Sequence, residues 1–87
     1  MRMKHYVVLC DLAVRFSNGI SYETHVTGVA HTFEEAKEIL ATASTEEKEY
    51  AYEHNWDIQE DSDVCFCAGE QGNYDDEHAH FYIEEVN

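Results

Sequence analysis

The chain has 87 residues and a formal net charge of −14, from 19 acidic residues against five basic ones. This length predicts a single domain, residues 1–87, near the small end of those that fold alone. Because 44% of the residues are hydrophobic and 13% aromatic, the composition indicates a folded domain rather than an acidic disordered chain. The charge argues against direct binding to nucleic acid or to an anionic membrane, because both carry the same sign.

The charges are unevenly distributed along the sequence. All five basic residues lie in the first 48 positions, together with seven acidic residues. Residues 49–87 contain twelve acidic residues and no lysine or arginine. Since mixed-sign surfaces limit self-repulsion and are the norm, this split predicts an acidic surface that attracts a basic partner. The alternative is a solvated surface that only keeps a small protein soluble.

The cysteines predict a reducing compartment. Cys10, Cys65 and Cys67 are odd in number, which favours free thiols and a cytoplasmic protein. The apolar run 6–14 is interrupted by Asp11 and lacks a cleavage site, so it predicts a strand rather than a secretory signal. The same run is too short to span a membrane.

Two strands and a turn are predicted first. Apolar residues occupy the even positions of residues 6–16, which predicts a strand with those positions facing the core. The run 20–30 shows the same phase. A three-residue turn, 17–19, would pair Phe16 with Ile20 and keep both apolar faces together, with the final glycine at positive φ. The residues of the second strand that this arrangement turns toward the core are Ile20, Tyr22 and Val26.

A helical region follows. Thr32-Phe33-Glu34-Glu35 is a capping box, and the apolar stripe that follows it comprises Phe33, Ala36, Ile39, Leu40 and Ala43. A second capping box, Ser44-Thr45-Glu46-Glu47, predicts a new helix or a kink that runs to about His54, with Tyr50 and Ala51 facing inward. One unbroken helix over residues 33–54 is the alternative, because no glycine or proline separates the halves.

The remaining elements are extended. Trp56 and Ile58 predict a short strand or the approach to one, and residues 64–68 and 79–83 predict two strands joined by a loop over 69–76. The element order is β-β-α(α)-β-β. We therefore expect an α+β two-layer domain, with a four-stranded antiparallel sheet and a helix or helix pair on one face. The pattern leaves the strand order open.

The candidate partner-binding residues are carboxylates that flank the last two predicted strands. One group precedes the third strand and the other lies in or beside the last loop, so we expect them at opposite ends of that hairpin. Carboxylates on a rigid face can occupy a groove built for DNA, whose phosphates recur about every 3.4 Å along each strand. These residues are Asp57, Glu60, Asp61, Asp63, Glu70, Asp75, Asp76 and Glu77.

In charge and size the chain resembles the small acidic proteins by which phages and mobile elements disable host defences, including DNA-mimicking anti-CRISPR and anti-restriction proteins. This resemblance covers no sequence motif and assigns no residue. It implies an inhibitor that docks into a basic groove of a partner, most simply a nucleic-acid-binding protein. We expect no cofactor.

A small zinc-binding accessory protein is the second hypothesis. Pairing Phe66 with Ala79 would place Cys65 opposite His80 and Cys67 opposite His78, giving four ligands of the type zinc prefers. However, residues two apart on a strand are about 6.6 Å apart, too far for a closed tetrahedral site. The main prediction is therefore that no metal is bound.

An enzyme is not expected. The sequence has no glycine-rich phosphate loop, no G-x-S-x-G and no H-E-x-x-H motif. Cys67 and His78 could form a nucleophilic pair, but no nearby cation would lower the thiol pKa. A third hypothesis is a structural subunit that forms a homodimer through an open sheet face exposing Val7 and Leu9.

Overall fold

The computed structural model describes residues 4–70 and 77–86, which form one antiparallel sheet with a helix on one face. The strand order is β2-β1-β5-β4-β3. This confirms the predicted α+β class. The elements in chain order are β1 (His5–Phe16), β2 (Gly19–Ala30), α1 (Phe33–Glu53), β3 (Asp57–Asp61), β4 (Cys65–Gly69) and β5 (His78–Val86).

The prediction of four strands was wrong, because the described residues contain five. The additional strand is β3; Trp56 and Ile58 had predicted a short strand or the approach to one, and the four-stranded count left it out. Asp57 pairs with Gly69 and Asp61 pairs with Phe66 in an antiparallel ladder with β4. β3 shows no alternation of apolar residues that would predict a strand, because Ile58 is its one apolar residue. An edge strand tolerates such a sequence, since one of its sides faces water.

α1 is a single helix, as the alternative prediction had it. Thr32 caps its start, accepting a hydrogen bond from the Glu35 amide at 3.1 Å. The second capping box starts no new helix. Instead, the hydroxyls of Ser44 and Thr45 donate to the Ala41 carbonyl at 3.1 and 2.8 Å, so they bond within the helix that continues around them. Among residues 4–70 and 77–86, no helix is both long and apolar enough to cross a membrane.

The core lies between α1 and the three central strands. Leu40, Val8 and Phe66 are its largest fully buried side chains. Alanines fill much of the remaining space, and Ala36 and Ala51 let the helix approach the sheet closely. The prediction that Tyr50 faces inward was wrong: it is 41% exposed and stacks on His54 with ring centroids 3.9 Å apart.

The predicted three-residue turn between β1 and β2 was also wrong. Phe16 pairs with Gly19, so residues 17–18 alone form the loop. Gly19 does adopt the predicted positive φ, 132°, but as the first residue of β2. The tip of this hairpin extends past β5, whose pairing with β1 ends at Ala13. Phe16, predicted to be in the core, is consequently 55% exposed.

The new register turns the bulky residues of β2 away from α1. Tyr22 pairs with Ala13 and Val26 with Leu9, and directly paired residues share a face. A β-bulge then shifts the register, so that the small residue Gly28 pairs with Val8. A Cβ at Gly28 would lie 2.9 Å from the Ile39 Cγ2, which leaves no room there for a larger side chain. The residues wrongly predicted to face the core, all on the opposite face, are Ile20, Tyr22 and Val26.

Leu40→Ala should destabilise the fold strongly. The Leu40 side chain is fully buried between α1 and the sheet, and such a truncation typically lowers the free energy of unfolding by about 2–5 kcal/mol. Thr42→Ala, on the exposed side of the same helix, is the control and should change it by less than about 0.5 kcal/mol. Urea denaturation followed by circular dichroism measures both, and equal effects would contradict the packing described here.

Glu47→Gln should stabilise the protein at neutral pH. Glu47 is half-buried, and burial raises its pKa above the ordinary value of 4.5. The folded state therefore favours the neutral carboxyl, so ionisation at pH 7 costs stability that glutamine would restore. The gain should shrink as the pH falls to about 4.5, where wild-type Glu47 is increasingly neutral in both states. Exposed Glu49→Gln is the control, and a Glu47→Gln gain independent of pH would contradict the explanation.

Candidate protein-binding surface

The structure divides the predicted partner-binding carboxylates between the two ends of the sheet. Asp57 lies beside Gly69, at the end where Glu70 follows β4. Asp61 lies at the other end of β3, about 13 Å away at the usual rise per residue. The four carboxylates expected before the third strand therefore form no single cluster, because most of that segment is itself a strand.

At the first end, Glu70 and Glu77 lie together, as predicted. The Glu77 amide donates to Glu70 Oε1 at 3.2 Å, and the Glu70 amide donates to the Glu77 carbonyl at 2.9 Å. Arg15 joins both: its guanidinium lies 3.3 Å from Glu70 Oε2, and its amide donates to Glu77 Oε2 at 3.1 Å. The hairpin tip thus brings a positive charge to this pair. Asp75 and Asp76 lie outside the described residues.

At the second end, two lysines of α1 reach the carboxylates near the β3–β4 connection. Lys48 Nζ lies 2.7 Å from Asp61, and Lys37 Nζ lies 3.6 Å from Asp63. Lys37 also contacts Glu34 at 3.2 Å. Three of the predicted binding residues (Asp61, Asp63 and Glu70) therefore already have a cationic partner from the first half of the chain.

The solvent-facing side of α1 is the more continuous acidic surface. Lys37 and Lys48 are eleven residues apart, which is about three helical turns and places them on one flank. The glutamates occupy the side that faces water, with Glu34 at its edge beside Lys37. We call this surface the acidic helix face. It consists of the exposed residues Glu34, Glu35, Glu38, Glu46, Glu49 and Glu53.

The acidic helix face was not predicted from the sequence, because the prediction compared the charges of two halves of the chain rather than of two sides of a helix. Most of α1 lies in the half that contains both signs, and its lysines hid the acidity of one side. The helical period could have predicted this surface. At 3.6 residues per turn, Lys37 and Lys48 fall on one flank of the helix and most of its glutamates fall on another side.

Part of the acidic helix face opposes the stability of α1. Glu34 and Glu35 lie in the first turn, where the helix dipole favours negative charge. Glu49 and Glu53 lie near the other end, where it disfavours negative charge, and the last turn has no basic residue. These two are also like charges at i and i+4, a spacing at which they repel. Helix stability therefore does not explain the carboxylates of the C-terminal half.

The predicted register of the cysteines and histidines was wrong by two residues. Phe66 pairs with Phe81 rather than with Ala79, so Cys67 faces His80 and Cys65 faces Tyr82. The reason is packing: Phe66 and Phe81 are both buried, with ring centroids 6.3 Å apart under α1. His78 lies opposite Gly69 and so faces neither cysteine.

The resulting contacts are pairwise. Cys65 Sγ lies 3.3 Å from His80 Nε2, and Cys67 donates to Gln59 Oε1 at 3.4 Å. In the part of the chain that the structure describes, no group of three or more His, Cys, Asp or Glu is placed to hold a metal ion. Burial, then a hydrogen bond and the charge of Glu60, raise the pKa of Cys65 to about 11. A protonated thiol is a weak ligand and a weak nucleophile.

The sheet face opposite α1 is partly apolar. Tyr22 and Val26 are 64% and 63% exposed, and the neighbouring Val29 is similarly exposed. Val7 and Leu9, which the sequence suggested would be exposed on this face, are half-buried. The most exposed apolar side chains of the face therefore belong to the edge strand β2.

Comparison of the chain with protein-family models, with curated proteins and with solved structures found no match. The proposed function therefore rests on the surfaces described above.

Glu60→Gln should make Cys65 more reactive. The substitution removes the carboxylate that, after burial, raises the pKa of this thiol, so a larger fraction is thiolate at pH 9. Alkylation by iodoacetamide, followed residue by residue by mass spectrometry, should be several-fold faster at Cys65. Buried Cys10, whose pKa burial raises to about 12, is the internal control. An unchanged Cys65 rate would show that Glu60 does not act on it.

Proposed function

We propose that this protein is a non-enzymatic binding protein whose acidic helix face docks on a basic surface of a partner protein. The observation that carries the proposal is the segregation of charge on α1. Six exposed glutamates share the side that faces water. Lys37 and Lys48 lie on one flank of the helix, where they contact Asp63 and Asp61, and Lys37 also pairs with Glu34 at the edge of the acidic helix face.

The ion pairs of the fold support this proposal. Each of the four described basic residues contacts a carboxylate, including Lys4, whose Nζ lies 2.9 Å from Glu85. Exposed pairs of this kind contribute little stability. However, each pairs a basic side chain with a carboxylate, so these cations do not form a positive patch of their own beside the acidic surface. A chain of net charge −14 then attracts a basic partner over about 8–10 Å at physiological salt.

The dimensions of α1 favour a nucleic-acid-binding protein as the partner. From Glu34 to Glu53 the helix axis rises about 28 Å, so the six glutamates average about one per 5 Å. Phosphates recur about every 3.4 Å along one DNA strand, a density of the same order. A rigid rod with this charge can occupy a groove that binds nucleic acid. Tyr52, 70% exposed and one turn from Glu49, offers an aromatic side chain of the kind that anchors interfaces.

Occupying such a groove would make the protein an inhibitor. This is the mode of action of DNA-mimicking anti-CRISPR and anti-restriction proteins, which the chain resembles in charge and size. The free thiols of Cys10, Cys65 and Cys67 fit action in a reducing cytoplasm. No catalytic step or cofactor is part of the proposal.

Removing two charges from the acidic helix face should weaken binding to the partner by about tenfold or more. Glu38→Gln with Glu49→Gln removes two charges from this face, and both side chains are exposed. Asp57→Gln with Glu60→Gln does the same on β3, and Glu23→Gln with Glu84→Gln changes the net charge equally elsewhere. The tagged proteins are incubated with a host lysate at low salt, and the captured proteins are eluted with duplex DNA.

The expected result is a captured nucleic-acid-binding protein that duplex DNA displaces and that the α1 variant loses by about tenfold or more, a loss of at least about 1.4 kcal/mol. The Glu23/Glu84 variant should retain it. Equal loss in all three variants would indicate attraction by net charge alone. Selective loss in the Asp57/Glu60 variant would move the interface to β3, where the sequence first suggested it.

A further inference from the structure

β2 is a long edge strand, and over residues 19–26, before its β-bulge, it carries little of the usual protection against pairing. It has twelve residues and lies at the end of the sheet formed by the described residues. It contains one carboxylate, Glu23, and no lysine, arginine or proline. The opposite edge, β3, is short and carries Asp57, Glu60 and Asp61, which are the features that block pairing at sheet edges. The two edges therefore differ in their capacity to accept another strand.

The backbone of β2 has hydrogen-bonding groups directed at its free edge. The Arg15 amide donates to Glu77 on the β5 side, so Arg15 and Ile20 form a pair without mutual hydrogen bonds. Such pairs alternate along an antiparallel ladder. The same therefore holds for the pairs of Tyr22, Thr24 and Val26 with β1. Their N–H and C=O groups point outward, and their side chains lie on the sheet face opposite α1.

The side chains on the two sides of Thr24 in the sequence match each other in pairs, so a second copy of β2 running in the opposite direction would find a suitable partner for each. Tyr22 and Val26 flank it on one face, and Glu23 and His25 flank it on the other. The carboxylate of Glu23 already lies 3.0 Å from His25 Nε2 within one chain. Reversing the strand about Thr24 exchanges the members of each pair, so each residue meets a chemically suitable one.

We propose that two copies of this chain pair through β2, antiparallel, about a twofold axis at Thr24. Tyr22 of each copy then faces Val26 of the other, an aromatic and β-branched combination that stabilises sheets. Each Glu23 faces His25 of the other copy. Moving the axis to residue 23 would instead place Glu23 against Glu23, and moving it to residue 25 would place Glu23 opposite Thr27, so the contacts between Glu23 and His25 select the register.

This pairing also limits the repulsion between two chains of charge −14. The contact is made by β2, which contains a single carboxylate, Glu23, in each copy. The glutamates of α1 lie on the helix that packs on the sheet and take no part in the contact between the two edge strands. The backbone supplies new hydrogen bonds, as in the addition of a strand to a sheet edge. The proposal is independent of the partner proposed for α1.

Thr24→Cys tests the position of the axis, in a background with Cys65→Ser and Cys67→Ser. Residues in a hydrogen-bonded antiparallel pair have Cα atoms about 5.5 Å apart, which a disulfide can bridge. Mild oxidation should yield a covalent dimer in most molecules. Val29→Cys is the control: its side chain is also exposed, but five residues from the axis it would lie about 30 Å from its counterpart. Equal cross-linking at both positions would indicate random collision and overturn the proposal.

A charge swap tests the register without a cross-link. His25→Glu places two like-charged pairs across the axis, which destabilise a sheet, and should weaken the dimer by roughly tenfold, or about 1.4 kcal/mol. The double variant Glu23→His with His25→Glu again places a glutamate opposite a histidine in both cross-strand pairs, and it should recover wild-type association. Both positions are exposed, so the fold should tolerate the changes.

Sedimentation of wild type and variants, at physiological and at raised salt, measures the association. Raised salt screens the repulsion between the two anionic chains. A wild-type protein that stays monomeric up to millimolar concentration overturns the proposal, and so does a dimer that the swap fails to rescue. In either case the edge of β2 would serve another partner or none, whatever binds α1.

Discussion

The structure depends on the packing of one helix against the middle of a five-stranded sheet. Leu40 enters a layer formed by Val8, Phe66 and Phe81, while alanines at Ala36 and Ala51 allow close approach. This contact covers one face of the sheet and leaves the other open. It also fixes the rotation of α1, and thereby decides which of its side chains meet water. Both proposed interaction surfaces are consequences of this single contact.

The ion pairs follow from this packing and do not produce it. The few cations are used as bridges: Arg15 joins the hairpin tip to Glu70 and Glu77, and Lys37 and Lys48 join α1 to β3 and its connection to β4. These exposed contacts contribute little stability each, but those of Lys37 and Lys48 hold positive charge on one flank of the helix, where Lys37 also meets Glu34. Half-buried Glu47, whose pKa burial raises, shows that the acidic composition extends to a side of α1 that packing would prefer to be apolar.

Patterns that depend on local spacing were predicted well. The alternation of β1, the Thr32 cap and the apolar stripe of α1 each reflect neighbours within a few residues, so the α+β class followed from them. The pairing of strands was predicted poorly. The predicted pairing of Phe16 with Ile20 assumed that the bulky residues of both strands face the core. The two-residue loop gives a different register, which turns the bulky residues of β2 outward, and Ile39 of α1 packs over Gly28 instead. The expected register, with Cys65 directly opposite His80, failed similarly, because burial of Phe66 against Phe81 sets the pairing of β4 with β5; the Cys65 and His80 side chains meet diagonally instead.

The candidate site shows the same limit. The chain alone determined the net charge, the free thiols, a helix with glutamates along it and the apolar strand β1. Tertiary structure decided that Asp57 and Asp61 lie at different ends of the sheet, that three of the expected contact residues meet cations, and which side of α1 faces water. The physical reason is that composition and period are local properties of the chain. Which charges become neighbours is set by long-range contacts that form only when the helix meets the sheet.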